Sequence, residues 1–306
     1  MNSRNVLNLG LTLALAGLVV LVLYDSDQEI PETKISLTDF KPDNIKKIVI
    51  EQAQQSSQSR QISLPRIILS KTGDQWQMDE PYKNRANTLL IDRILDLTVT
   101  KSHVQYPAVN VNLKQLKLLA SDLTITLNDT KLIFGTTDAI KGYRYVKNND
   151  TVHLITDSFS HLVRGQITAL LSPALLPDNF GMTKLVLPDF VLQSDETGWK
   201  TIPENKFVSA DQLQNLFDEW QFARALRVEK ITAKFENKNS NIEVHNNKDQ
   251  HILFGLSRTN KEIVLSRPDI GLHYYFSAEA GKKLLELQPT TPVVGSTNQA
   301  PFSDDH

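Results

Sequence analysis

Residues 189–220 read DFVLQSDETGWKTIPENKFVSADQLQNLFDEW, and the order of features in this stretch sets the fold expected of the chain. An apolar run, Phe190-Val191-Leu192, passes through a polar turn into a strand carrying Trp199; Pro203 then breaks that strand. Ser209-Ala210-Asp211-Gln212 follows and fits a capping box, in which the Ser and Gln side chains satisfy amides left orphaned by the first helical turn. Leu213, Phe217 and Trp220 come next at i, i+4 and i+7, the core-facing stripe of an amphipathic helix.

The same order of features occurs earlier in the chain. Residues 66–97, RIILSKTGDQWQMDEPYKNRANTLLIDRILDL, place Trp76, Leu90, Ile94 and Leu97 at a constant 123 positions before Trp199, Leu213, Phe217 and Trp220. Downstream, KLIFG at 131–135 aligns with HILFG at 251–255, an offset of 120 that also sets Lys147 on Arg267 and His153 on His273. Upstream, KKIVI at 46–50 resembles TKLVL at 183–187, with the polar insert 52–60 lengthening the first copy. Blocks that recur in one order are the signature of a duplication.

Each copy reads as two strands, a turn, a Trp strand, a proline break, an amphipathic helix, then several short strands and a terminal helix. Asn128-Asp129, Asn148-Asn149-Asp150 and Asp269-Ile270-Gly271 supply hairpin turns, since such residues tolerate left-handed backbone. The expected class is therefore α+β: an N-terminal transmembrane helix followed by two tandem related domains, each a mainly antiparallel sheet packed on helices. The boundaries are 1–25 for a cytoplasmic tip and anchor, 26–43 for a stalk and 44–164 for the first repeat. A connection at 165–182, a second repeat at 183–287 and a disordered tail at 288–306 complete the chain.

The anchor is read from residues 6–24, VLNLGLTLALAGLVVLVLY, 19 residues without a charge. At a rise of about 1.5 Å per residue these span about 28 Å, close to the hydrocarbon core of a bilayer. The small-x-small pattern Ala14-Leu15-Ala16 lies inside the run, where cleavage would leave an apolar terminus, so the segment is read as an uncleaved anchor rather than a signal peptide. Arg4 precedes the run and Asp25, Asp27 and Glu29 follow it, which places the amino terminus in the cytoplasm and the body in the periplasm of a bacterial inner membrane. Gly10 and Ala14, four apart, would let two such helices approach as a dimer, although small residues are common in spans without one.

Composition narrows the chemistry. Cysteine is absent, which removes disulfides, thiolate metal sites, cysteine nucleophiles and lipid attachment through sulfur. A formal net charge of −2 without basic blocks gives no footprint for nucleic acid. Neither GxGxxG, GxxxxGK[ST], GxSxG nor HExxH occurs, so no cofactor, metal or catalytic residue is assigned. The weak ligand or partner candidates are Lys147, His153, Arg267 and His273: repeat-related imidazoles and cations could line symmetric grooves for a carboxylate, or be strand residues retained from the ancestor. Trp76 and Trp199 are read as core plugs over the adjacent helix rather than exposed aromatic platforms.

Taken together, MNSRNVLNLGLTLALAGLVVLVLY, GDQWQMDEP (73–81), TGWKTIP (197–203), GYRYVKNNDTVHLI (142–155) and LSRPDIGLHYYF (265–276) resemble a bacterial envelope family known as domain of unknown function 4340. The resemblance implies a membrane-anchored envelope protein and, as a partner, a component of a gliding-type ABC transport system; it carries over no catalytic residue. The leading expectation is a single-pass, periplasmic binding or scaffolding protein and not an enzyme. An auxiliary subunit presenting a small ligand or glycan, and a hydrolase with an unrecognised site, are the alternatives.

Overall fold

The computed structural model describes residues 35–55, 61–232 and 241–288. The expected anchor at 6–24 with Gly10 and Ala14, most of the stalk, residues 56–60 of the insert and the tail from 289 lie outside the described residues. No described helix is long and apolar enough to cross a membrane.

The chain runs through β1 (Lys47–Gln55), β2 (Gln61–Ser63), β3 (Ile67–Thr72), β4 (Gln75–Glu80), β5 (Asn84–Arg85), α1 (Thr88–Leu95), β6 (Ser102–Pro107), β7 (Leu123–Leu127), β8 (Thr130–Thr137), β9 (Arg144–Asn148), β10 (Thr151–Ile155) and α2 (Ser160–Arg164). It continues through β11 (Met182–Val186), β12 (Val191–Asp195), β13 (Gly198–Ile202), α3 (Ala210–Gln221), β14 (Arg227–Lys230), β15 (Asn241–Asn246), β16 (His251–Arg258), β17 (Glu262–Arg267), β18 (Leu272–Ser277) and α4 (Ala278–Leu285).

The expected α+β class is overturned: the protein is mostly β, with two antiparallel sheets and four short α-helices among the described residues. The longest helix has 12 residues and the stripe read from Leu90 to Leu97 yields only the 8 residues of α1. Its continuation, Asp96–Val99, tightens into a 3-10 turn, where Thr98 Oγ1 donates to Leu95 O and Thr100 Oγ1 to Asp96 O. Thr98, Val99 and Thr100 are β-branched, and hydroxyls that bond back to the backbone compete with the helical ladder, so the periodic pattern outlasts the helix itself.

Two compact units form. The first holds the described residues up to Arg66 together with Asp92–Ser160; the second holds Ile67–Ile91 with the described residues from His161 onward. In the first, the strands run β1-β7-β8-β9-β10-β6, with β2 on β1. In the second, eight strands run β13-β12-β11-β15-β16-β17-β18-β14, accompanied by the meander β3-β4-β5. The order β1-β7-β8-β9-β10-β6 has its counterpart in β11-β15-β16-β17-β18-β14, and the pairing of Lys71 with Trp76 has its counterpart in Ser194 with Trp199. Two β-sheet domains of similar size are compatible with the internal repeat.

Local chemistry explains where the elements turn. Asn128 and Asn149 adopt φ of 51° and 47°, the left-handed backbone their hairpins need. Ser209 caps α3 reciprocally with Gln212, whose backbone N–H donates to Ser209 Oγ while its side-chain oxygen accepts from Ser209 N at 3.0 Å. Trp76 is buried in the core, whereas Trp199 is half-buried and packs its ring 4.9 Å from Phe217 on α3.

Candidate functional site

The four sequence candidates occupy matching strands. His153 pairs with Val146 and His273 with Ser266, while Lys147 pairs with Val152 and Arg267 with Leu272, so the two hairpins share one register at an offset of 120. Side chains alternate across a strand, and within each hairpin the imidazole and the cation therefore project to opposite faces. The joint imidazole–cation groove does not form. Lys147 Nζ donates to Asn149 O in its own turn, and Arg267 grips Asp269 with Nε at 2.8 Å and Nη2 at 2.6 Å, which holds the Asp269 carboxyl below its ordinary range.

The two histidines also stand in different surroundings. Across β8, β9, β10 and β6, one row reads Phe134, Val146, His153, Gln105. Across β16, β17, β18 and β14, the corresponding row reads Gly255, Ser266, His273, Glu229. The pairing of β8 with β9 shifts between Phe134 and Thr137, whereas β16 keeps one register throughout. That one-residue slip puts Phe134 beside His153 but turns Phe254 to the face opposite His273, where it lies 5.6 Å from the Arg267 guanidinium. Among the described residues, His153 Nδ1 and Gln105 Nε2 are buried without a hydrogen-bond partner.

Ser266 Oγ sits 2.7 Å from His273 Nδ1, a spacing at which a base can take a hydroxyl proton. Both side chains are buried, at 1% and 3% exposure, so a substrate carbonyl has no approach to that oxygen in this conformation. Burial lowers both imidazoles from the ordinary value of 6.5, with Glu229 partly opposing this at His273. The folded chain thus keeps the rings neutral where the unfolded chain protonates them. Their contribution to stability is complete above about pH 6.5 and is lost as the pH falls below it, by up to about 1.4 kcal/mol per pH unit for each ring. Urea midpoints should drop between pH 7 and pH 5.5, and His153→Gln should flatten that slope; identical slopes in the two proteins would refute it.

The surface best placed to meet another molecule lies on the other face of β9-β10-β6. Ala108, Leu118 and Val152 are buried there in one cluster, with Val111, Leu113, Leu116, Ile133 and Tyr145 packed against it. Ala108 N donates to Asp150 O and Thr136 N to Leu116 O, both at 2.8 Å, which pins the loop between β6 and β7 onto the sheet. The immediate neighbours of the buried pair, Val109 and Leu119, are 90% and 69% exposed. Asp138 Oδ2 accepts from Ile140 N and Lys141 N, and the tight turn so formed presents Ile140 at 91% exposure. Burial raises the Tyr145 phenol, and the charges of Asp138 and Tyr106 raise it further. Val104 and Tyr106, each 40% exposed, extend this face along β6.

None of these apolar residues stood out in the sequence, because an isolated Val or Ile in a loop has the same local pattern whether buried or exposed. In comparisons with known proteins, no family model, curated protein or solved structure matches the chain, so the envelope-family resemblance rests on the motifs quoted above.

Proposed function

We propose that the protein is a binding or scaffolding module of the bacterial cell envelope that docks a protein partner through the apolar face of its first unit. The observation that supports this is the exposure of Val109 and Leu119 on a loop that backbone hydrogen bonds pin to the sheet, with Tyr106 on β6 and Ile140 in the turn after β8 also exposed. Exposed large apolar side chains held by a fixed backbone are where such proteins meet partners. In this reading the apolar run at 6–24 tethers the module to the inner membrane with its body in the periplasm, and the partner is an envelope or transporter protein.

Photo-crosslinking from position 109 or 140 of the full chain in cells should trap a specific envelope protein. With the photo-crosslinker moved to position 119, Val109→Glu combined with Ile140→Glu should abolish the capture that this probe gives in the otherwise unchanged chain, while leaving the melting temperature within about 2 °C, since exposed substitutions change stability by only about 0.5 kcal/mol. Recovery of the bare, monomeric chain from both positions would overturn the proposal.

A further inference from the structure

A second recognition feature lies wholly within the second unit and is independent of the apolar face. A cleft of about 360 Å³ opens between β4, the residues after β5, the segment that follows α2 and the end of α3. Its frame is rigid because backbone ladders tie its walls together. Ala86 N donates to Trp76 O, Ser172 N to Arg85 O, Leu175 N to Ala223 O and Ala225 N to Pro173 O.

Two arginines of different standing line the cleft. The Arg85 side chain, 16% exposed, is locked: Nη1 donates to Asp178 Oδ1 at 3.1 Å and Nη2 donates to Leu176 O. Gln75 Nε2 donates to the other Asp178 oxygen at 3.0 Å, so that carboxylate is engaged on both sides. Arg224 is exposed and lines the same cleft, and it makes no hydrogen bond or ion pair among the described residues. With Arg85 paired to Asp178, Arg224 is the one cation lining the cleft without a partner among the described residues, although it also borders a groove lined by Asp218 and Glu219; the apolar side is Leu89, 72% exposed, with the buried Trp76 reached only at its edge.

We propose that this cleft binds a monocarboxylate with an apolar body, its carboxylate on Arg224 and its body against Leu89 beside the edge of Trp76. A planar guanidinium donates bidentately to a carboxylate, and a single unpaired positive charge suits a singly charged anion better than a phosphate dianion. The volume suits either a small free acid or the C-terminal residue of a peptide.

The test uses the full chain in detergent, labelled with nitrogen-15, and follows the Trp76 indole signal during titration. The probes are butyrate, benzoate, a decapeptide with a free C-terminal leucine, the same peptide as its amide, and inorganic phosphate. Saturable shifts from the carboxylates are expected. Arg224→Ala should weaken them at least tenfold, the loss of one charge-assisted hydrogen-bonded partner. Asp178→Asn, which unmasks Arg85, should tighten them by about threefold. Free acids binding best identifies a small-molecule ligand, whereas the peptide acid binding and its amide failing identifies a chain terminus; both support the proposal. Phosphate outcompeting the carboxylates, no saturable shift, or an Arg224→Ala protein that binds as well as wild type would overturn it, without bearing on the apolar face of the first unit.

Discussion

Gly135→Ala should unfold the loop between β6 and β7 and lower the stability of the first unit by about 3 kcal/mol. A Cβ at this position would sit 2.3 Å from Leu116 O and 2.9 to 3.0 Å from the Leu118 side chain. The first of these neighbours is backbone, so it cannot rotate away. Relieving the clash displaces the carbonyl that accepts from Thr136 N and lifts Leu118 out of its cluster with Ala108 and Val152. Overpacking costs about 1 to 3 kcal/mol and a lost buried hydrogen bond about 1 kcal/mol more, which corresponds to a fall of about 10 °C in melting temperature. Limited trypsin digestion should report the release as new cuts at Lys114 or Lys117. An unchanged melting temperature with no new cut would show that the loop is not held where Gly135 permits it. Because Val109 and Leu119 stand on this loop, the substitution should also weaken partner capture without altering the exposed residues themselves.

Trp220→Ala should be the most damaging change in the second unit, at about 3 to 5 kcal/mol in urea denaturation. The side chain is fully buried at the end of α3, its ring meets Phe254 edge-on at 5.7 Å, and its Nε1 donates to Leu284 O at 2.7 Å. Leu284 lies in the last turn of α4, where carbonyls have no helical partner, so the indole ties the ends of two helices together. Trp220→Phe separates the two contributions: it keeps most of the apolar contact and loses the hydrogen bond, and should cost about 1 to 2 kcal/mol. Equal losses for Phe and Ala would mean that the hydrogen bond dominates, and a loss below 1 kcal/mol for Ala would contradict the packing described.

How much of this was legible in the sequence depended on how far apart the interacting residues lie. The Ser209–Gln212 capping box, the turns at Asn128 and Asn149 and the stripe Leu213, Phe217, Trp220 were readable because each depends on partners within a few residues. The length of α1 was not, because Thr98 and Thr100 redirect its backbone through hydroxyl bonds that an apolar periodicity ignores. The helical stripes also weighted the expected class toward α+β, although strands hold far more of the described chain than helices do.

Candidate residues divided along the same line. Alignment placed Lys147 with Arg267 and His153 with His273, and those pairs do occupy equivalent hairpin positions. The faces they point to follow from alternation along β9-β10 and β17-β18, which share one register, whereas the change from Phe134 beside His153 to Gly255 beside His273 comes from a one-residue difference in how β8 and β16 pair with their neighbours. Arg85, Asp178 and Arg224 gave no sequence signal, since chain segments far apart in order assemble their cleft.

The sequence alone thus determined the apolar run at its amino end, the recurring blocks and the turns and cap between elements, because these are set by composition and by contacts along the chain. Only the tertiary structure decided the mostly β class, the burial of both histidines, the exposure of Val109 and Ile140 and the single unmatched charge of the cleft. Each of these depends on cross-strand register and on which distant segment covers a given face, and a shift of one residue reverses the face without altering the sequence pattern.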